Sequence, residues 1–188
     1  MAPRKSATIY QLKVTLQQIR PPIWRRLLVR SSTKLNELHE IIQQAMGWGN
    51  YHMHSFSIHN RDYGVLDPDW GMDDMEDETR VTLAKVVPGE KFRFRYMYDF
   101  GDGWDHEILV EKVLPLDAKL TYPTCIKGKR ACPPEDCGGP WGYEELIGIM
   151  GDPQHPEYEE RLDWLEQPLD PDAFDLDEVN AALIHLAD

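Results

Sequence analysis

The chain has 188 residues, of which 41% are hydrophobic and six are tryptophan, and this composition favours a globular protein over a disordered one. No run approaches the roughly 20 apolar residues that a membrane-spanning helix needs, and the first residues show no apolar signal segment. We therefore expect a cytoplasmic protein with no membrane partner. The three cysteines, an odd number, favour reduced thiols or metal ligands over a secreted disulfide framework.

The formal net charge of -13 disfavours nucleic acid as a partner, because phosphate contacts draw their affinity from Lys and Arg. The charge is unevenly distributed, since residues 1–36 contain eight Lys or Arg and no acidic residue. Such a basic surface could bind nucleic acid. The candidate residues for that role are Arg20, Arg25, Arg26 and Arg30. The alternative is that these strands form a solvated face or pair with acidic segments of the same chain, such as residues 67–78.

Hydrophobic periodicity predicts strands and one helix in the first part of the chain. Residues 9–16 alternate with period two, which is typical of a half-buried strand, and residues 23–30 follow at hairpin distance. The next apolar residues recur at helical spacing and predict a helix that ends at Gly47. Further strands are predicted at residues 54–60, 91–100 and 105–114.

This order of elements predicts an α+β fold, in which one helix covers a β-grasp-like mixed sheet. We expect a single domain over residues 1–188. Its parts are a sheet core at residues 7–120, a loop rich in Cys, Pro and Gly at residues 121–143, and a helical C-terminal extension at residues 144–188.

All three cysteines lie in the segment TCIKGKRACPPEDCGGPWGY. They are Cys125, Cys132 and Cys137, separated by six and four residues. Zinc prefers four tetrahedral ligands, and thiolates held by tight turns are common in structural zinc sites. His106 is the first candidate for the fourth ligand, followed by Asp136. The segment lacks the C-x2-C spacing of the strong zinc signatures, so a rigid loop with free thiols is the alternative.

Three histidines share predicted strand faces with apolar residues. The period-two rule places His52 and His54 on one such face, and His106 on another together with Trp104. Hydrogen-bonded core histidines are the ordinary interpretation. If the three converge near Asp102, they form an alternative metal site or supply a general base, because neutral imidazole is a good ligand for divalent metals.

The segment YDFGDGWDHE places Asp99, Asp102 and Asp105 at every third position around two glycines. It belongs to no kinase motif set and lacks the calcium spacing of an EF-hand. A tight β-turn with solvated carboxylates is the ordinary interpretation. The functional interpretation is a carboxylate cluster beside His106 that holds a metal or acts as acid and base.

Several segments in this order resemble the plasmid Ri open-reading-frame-three-like family. They are IYQLKVTLQQIRPPIWRRLLV, HMHSFSI, YMYDFGDGWDHEILVEKV, CIKGKRACPPEDCGGPWGYEEL and FDLDEVNAAL. The resemblance implies a cytosolic prokaryotic α+β module, sometimes labelled as distantly similar to transposon resolvases, without an established activity. A serine recombinase would need a nucleophilic Ser near an arginine cluster and a helix-turn-helix, whereas the helical C-terminus of this chain is acidic.

From these patterns we predict a binding or adaptor module that recognises a protein or peptide, with zinc as its candidate cofactor. The residues expected to form the binding surface are Asp99, Asp102, Trp104, Glu135, Asp136, Trp141 and Tyr143. The alternative is a metal-dependent hydrolase or nuclease-like enzyme that uses His52, His54 and His106 with nearby carboxylates. A DNA-binding protein of a mobile element is the third hypothesis.

Overall fold

The computed structural model describes residues 8–66, 74–165 and 168–187. The strands are β1 (Thr8–Leu16), β2 (Trp24–Arg30), β3 (His54–Ile58), β4 (Arg61–Gly64), β5 (Glu76–Asp77), β6 (Arg93–Tyr98), β7 (Trp104–Pro115) and β8 (Thr124–Lys129). The helices are α1 (Leu35–Met46), α2 (Leu83–Val86), α3 (Gly139–Met150), α4 (Tyr158–Leu165) and α5 (Leu176–Leu183).

The eight strands form one open sheet in the order β5-β4-β3-β6-β7-β1-β2-β8. Neighbouring strands pair antiparallel except β4 and β5, which run parallel. The sheet is therefore mixed, and the predicted α+β class is confirmed. No helix in the described parts of the chain is long and apolar enough to cross a membrane.

The core lies between one face of the sheet and the helices. In β1, Leu12 and Val14 are fully buried, as the period-two pattern predicts, and Leu38 and Ile42 of α1 pack into the same cluster. Burying each such side chain contributes roughly 1.5–3 kcal/mol to the stability of the folded state. Helix α1 ends at Gly47, whose left-handed backbone lets its N–H donate to the Gln43 carbonyl at 2.8 Å.

The segment predicted as a loop over residues 121–143 contains an edge strand, β8, which pairs with β2. Its sequence, TCIKGK, lacks the alternation that marks a half-buried strand. The Asn180 side chain on α5 accepts from the Cys125 N–H at 2.8 Å and donates to the Cys125 carbonyl at 2.9 Å. Among the described residues, β8 pairs with a strand on one side only. On its other side, the Asn180 amide takes the place of a neighbouring strand at Cys125.

Strand register fixes which loops share one end of the sheet. His54 of β3 pairs with Tyr98 of β6, and Tyr98 pairs with Trp104 of β7. The chain just before β3 and the turn between β6 and β7 therefore emerge at the same end. The loop after β8 reaches this end too, because the Trp48 indole N–H donates to the Pro133 carbonyl at 2.9 Å.

Candidate functional site

Three segments meet at this end of the sheet, and we call them the loop junction: residues 47–53, residues 99–103 and residues 130–138. The Gly138 N–H donates to the Asp102 carboxylate at 3.1 Å, which joins the second segment to the third. His52 Nε2 lies 3.0 Å from Asp136 Oδ1, which joins the first to the third. The two motifs singled out from the sequence therefore form one surface.

Asp99 organises the turn between β6 and β7. Its backbone is left-handed, with φ of 54°, and its N–H donates to the Met53 carbonyl at 2.8 Å. Its Oδ1 accepts from the Gly101 N–H at 2.9 Å and the Asp102 N–H at 3.3 Å. Self-bonding of this kind is how Asp supports tight turns. The second oxygen, Oδ2, lies 3.7 Å from His52 Nε2.

Glu135 holds the junction together from the third segment. One carboxylate oxygen accepts from the Gly49 N–H at 2.9 Å, and the other accepts a short hydrogen bond from the Tyr98 hydroxyl. The same hydroxyl accepts from the Tyr51 N–H at 3.0 Å. Burial and the bond to Glu135 raise the pKa of Tyr98, so this phenol stays protonated at physiological pH. Glu135 therefore has a structural role at the centre of the surface.

One group of metal-ligating side chains is assembled among the residues that the structure describes. The ligand atoms of His52, Asp99 and Asp136 all lie within 4.8 Å of one another. Asp99 is buried, His52 is half-buried, and the Asp136 side chain is 67% exposed. The sequence singled out all three residues, but it did not place them together in one set.

The predicted zinc ligands do not assemble in this way. Cys125, Cys132, Cys137 and His106 form no group of ligand atoms within that distance in the described chain. The reason lies in the strand order, because His106 is on β7 and Cys125 is on β8, three strands away. Neighbouring strands lie about 4.8 Å apart, so these two residues are separated by ~14 Å across the sheet.

The alternative cluster of His52, His54, His106 and Asp102 is not assembled either, as far as the described residues extend. The Tyr96 ring on the intervening strand separates the two buried imidazoles, with ring centroids 6.0 Å from His54 and 5.3 Å from His106. His54 Nε2 lies 2.9 Å from the buried Glu78 carboxylate. The histidines were predicted to point towards apolar surroundings, and His106 does so, since it is fully buried against the Trp48 and Tyr96 rings. His54 instead stacks on the His39 ring, with ring centroids 3.4 Å apart, so the imidazoles of His54 and His106 occupy separate sites.

Cys125 is buried in the core, and Cys132 and Cys137 are half-buried against it. The Cys125 thiol donates to the Lys127 carbonyl at 3.5 Å. Burial raises the pKa of Cys125 and Cys132, and it raises that of Cys137 to about 12. A thiolate is the reactive and metal-binding form of cysteine, so these thiols are protonated and unreactive. The Arg25 guanidinium near Cys125 and Cys132 offsets only part of the effect of burial on their pKa values.

The arginines of the predicted basic surface are mostly engaged within the chain. Arg25 is only 3% exposed, and its guanidinium donates to the carbonyls of Trp24, Ala45 and Lys129. Arg26 donates to the Glu111 carboxylate at 2.6 Å, and Arg30 stacks on the Tyr122 ring. Arg20 is exposed. Arg25 is therefore inaccessible to a phosphate backbone.

Pairing of the basic N-terminal strands with acidic residues of the same chain is found at Arg26, although with a different segment from the example named above. The acidic partner of Arg26 is Glu111 of β7, and not the segment at residues 67–78. Of that segment, residues 67–73 lie outside the described residues, and Glu76 pairs instead with Arg61 at 2.7 Å.

Aromatic residues at the loop junction divide into buried and exposed sets. Trp104 and Tyr143, both predicted to form the binding surface, are buried in the core and are not available to a partner. Trp141 and Tyr51 are about 80% exposed, and Phe100 is 45% exposed. Tyr51 and Phe100 belong to the first and second segments of the junction, and Trp141 lies on the first turn of α3, which directly follows the third segment.

A series of hydrogen bonds that begins in the core behind the junction and reaches the exposed Asn50 was not predicted from the sequence. Because a tyrosine hydroxyl both donates and accepts, the bonds have one consistent direction. They run from Gln43 to Tyr96 at 2.9 Å, from Tyr96 to His39 at 2.7 Å, from His39 to Asn50 at 2.7 Å and from Asn50 to Glu40 at 3.1 Å. Polar residues at positions 39 and 43 on the apolar face of α1 were the available signal. These hydrogen bonds hold Asn50 against the core.

A family model, a relative and a solved structure each match nearly the whole chain. Residues 8–178 match the family model described as plasmid pRiA4b ORF-3-like protein. The uncharacterized protein y4hQ of Sinorhizobium fredii is 38% identical over 183 residues, which cover 96% of this chain and 93% of that protein. The crystal structure of a protein of unknown function, MM3350 from Methanosarcina mazei, is similar with a TM-score of 0.83 and 35% identity, covering 93% of this chain and 98% of that one.

Proposed function

The chain belongs to the plasmid pRiA4b ORF-3-like protein family, and we propose that it is a binding module that recognises a basic segment of a partner protein at the loop junction. The observation that supports this most is the packing of the turn at residues 99–103 against the loop at residues 130–138. The same end of the sheet carries three exposed aromatic rings, Tyr51 in the first segment, Phe100 in the turn and Trp141 on the first turn of α3. Such surfaces are typical of recognition sites, since binding residues concentrate on loops held by a rigid scaffold.

Charge complementarity favours a basic partner. The chain carries a net charge of -13, which attracts cationic segments over long range and repels anionic ones. The exposed carboxylate of Asp136 lies in the third segment of the junction, beside His52 of the first. Arg25 is buried and Arg26 is paired to Glu111, so these two cations do not offset this acidic surface.

A small pocket beside Asp136 is suited to a single basic side chain. Its volume is about 110 Å³. Glu145 and Trp164 line it, and they offer a carboxylate and an aromatic ring to a cation. Arg161 also lines the pocket, but its guanidinium is paired with Glu157 at 3.2 Å. This pairing offsets the charge of Arg161. A Lys or Arg side chain placed here would lie among Asp136, Glu145 and Trp164.

Trp141 is the residue most suited to anchor the partner. Exposed tryptophan is uncommon, and in protein interfaces Trp residues often account for about 2 kcal/mol or more of binding free energy. An indole face also attracts Lys and Arg by about 0.5–1 kcal/mol at exposed sites. We therefore expect the partner to combine basic side chains with apolar ones.

The test is a selection of random peptides displayed on phage against the purified chain, followed by affinity measurements with synthetic copies of the enriched peptides. We expect enrichment of Lys, Arg and apolar residues, and binding that weakens as salt is added. Trp141→Ala should weaken binding about 30-fold, which corresponds to about 2 kcal/mol. Glu145→Gln should weaken it several-fold.

The matched controls are Ile184→Ala, which removes an exposed apolar side chain on a different element, and Glu160→Gln, which removes a carboxylate on α4 that does not line the pocket. Both should bind the selected peptides like the unmodified chain. Peptides that are acidic, or that bind Trp141→Ala and Glu145→Gln without loss, would exclude the loop junction as the recognition surface.

A further inference from the structure

We propose that His52, Asp99 and Asp136 form a divalent-metal site that clamps the three segments of the loop junction. Each ligand comes from a different segment: His52 precedes β3, Asp99 begins the turn after β6, and Asp136 lies in the loop before α3. A single ion would therefore cross-link parts of the chain that are distant in sequence. This site differs from the cysteine site predicted from the sequence, because it contains no thiol.

The distances suit a metal ion. Zinc binds imidazole nitrogen and carboxylate oxygen at about 2.0–2.2 Å, so ligand atoms in one coordination shell lie roughly 3–3.6 Å apart. His52 Nε2 lies 3.0 Å from Asp136 Oδ1 and 3.7 Å from Asp99 Oδ2. The remaining pair, Asp99 and Asp136, has ligand atoms within 4.8 Å of each other, so rotation of these two side chains would bring all three ligands into one coordination shell.

The hydrogen bonding leaves these atoms available. His52 Nε2 is shielded from solvent, yet it makes no well-aligned hydrogen bond within the described chain. Asp99 uses its Oδ1 to support the turn, which leaves Oδ2 directed at the imidazole. Two carboxylates this close repel each other when both are ionised. A divalent cation would compensate both charges and use the imidazole lone pair.

The donor set defines the class of metal. One imidazole and two carboxylates suit Zn²⁺ or Mn²⁺, whereas soft ions such as Cu⁺ prefer sulfur ligands. Three protein ligands are assembled among the described residues, and the Asp136 side chain is largely exposed. Open coordination positions would therefore face solvent. The ion would be exchangeable, in contrast to the closed four-ligand sites of structural zinc.

The experiment is titration of the EDTA-treated chain with Zn²⁺ and with Mn²⁺ by isothermal calorimetry, without any peptide present. We expect one ion per chain. His52→Asn and Asp136→Asn should each weaken binding by at least about tenfold, since even residues that only support a ligand change affinity by about 10–100-fold. Asparagine suits position 136 because the backbone there is left-handed, with φ of 58°.

Matched controls distinguish this site from metal binding by other histidines, carboxylates or thiols of the chain. His59→Asn removes an exposed imidazole at another left-handed position, and Asp163→Asn removes an exposed carboxylate on α4. Both should bind the metal like the unmodified chain. Cys132→Ser tests the thiol site, and it should leave binding unchanged.

A spectrum of the Co²⁺-loaded chain tests the ligands without any mutation. Coordination by nitrogen and oxygen alone should give no strong near-ultraviolet sulfur-to-cobalt charge-transfer band. A strong band, or loss of binding only in Cys132→Ser, would place the metal on the cysteines and overturn the proposal. Absence of saturable binding would overturn it as well. Because no partner takes part, these results do not depend on the peptide-binding hypothesis.

Discussion

Replacing Gly139 with alanine should destabilise the chain by disrupting the contact between α3 and the turn after β6. Gly139 has a left-handed backbone, with φ of 69°. A methyl group at this position would lie well inside 3.0 Å of the Asp102 backbone oxygen. That oxygen belongs to the backbone of a tight turn, so neither partner can move away without displacing the loop junction.

The magnitude follows from two contributions. A left-handed conformation costs an L-residue about 1–2 kcal/mol. Displacing Asp102 also weakens its bond to the Gly138 N–H, and a hydrogen bond of this kind contributes about 1 kcal/mol. We expect the free energy of unfolding to fall by about 2–3 kcal/mol, a large part of the roughly 5–15 kcal/mol typical of native proteins.

Urea unfolding followed by tryptophan fluorescence measures this change. With an m value of about 2 kcal/mol/M, the midpoint for Gly139→Ala should fall by about 1 M. Gly148→Ala is the matched control in the same helix, because nothing lies within 4 Å of its added methyl group. Alanine favours a helix interior over glycine by about 1 kcal/mol, so this midpoint should rise by about 0.5 M.

The two substitutions should therefore change stability in opposite directions. If Gly139→Ala unfolds at the original midpoint while Gly148→Ala is stabilised, the close approach of residue 139 to the turn does not exist in solution. The geometry of the loop junction would then be wrong, and the metal and peptide hypotheses would lose their structural basis.

Two further predictions concern the core and the sheet edge. Burial lowers the pKa of His39 to about 3 and that of His106 to about 4, below the usual 6.5. The folded state therefore favours the neutral imidazoles, and their full contribution to the free energy of unfolding is present above about pH 6.5. This contribution is lost as the pH falls towards 4, because the unfolded chain binds the protons first. Urea midpoints should fall as the pH is lowered across this range, and they should fall less steeply for His106→Asn than for the unmodified chain. Equal slopes for the two proteins would contradict a lowered pKa at His106. Asn180→Ala should cost about 2–3 kcal/mol, because it leaves the Cys125 N–H and carbonyl unpaired. Hydrogen exchange at the Cys125 amide should accelerate, and unchanged protection would show that Asn180 does not hold this strand.

The sequence predicts the elements whose burial pattern is regular. β1 alternates along its length, and α1 has one apolar face that ends at a glycine, so local periodicity is sufficient for both. β8 was missed because its pairing depends on distant residues. Its Cys125 backbone is bonded by Asn180, which is 55 residues away along the chain.

The candidate site was only partly predictable for a related reason. Residue type and spacing identified the cysteines and histidines as possible ligands, but the order of strands decides which of them can meet. His106 and Cys125 share a plausible chemistry and are nevertheless separated by two intervening strands. Trp104 was assigned to the surface because its motif is rich in Gly and Asp, whereas the period-two rule applied to β7 placed it on the same buried face as His106.

The acidic groups of the loop junction differ in what remains available once the structural bonds are assigned. Glu135 uses both oxygens to hold Gly49 and Tyr98, and Asp102 is engaged by the Gly138 N–H. Asp99 uses one oxygen for the turn. Asp136 Oδ1 lies beside the His52 imidazole without a well-aligned bond to it. The bonding capacity that the fold leaves unused is therefore concentrated at these last two carboxylates and the imidazole between them, and a cation from a metal or from a partner side chain is the chemistry that would use it.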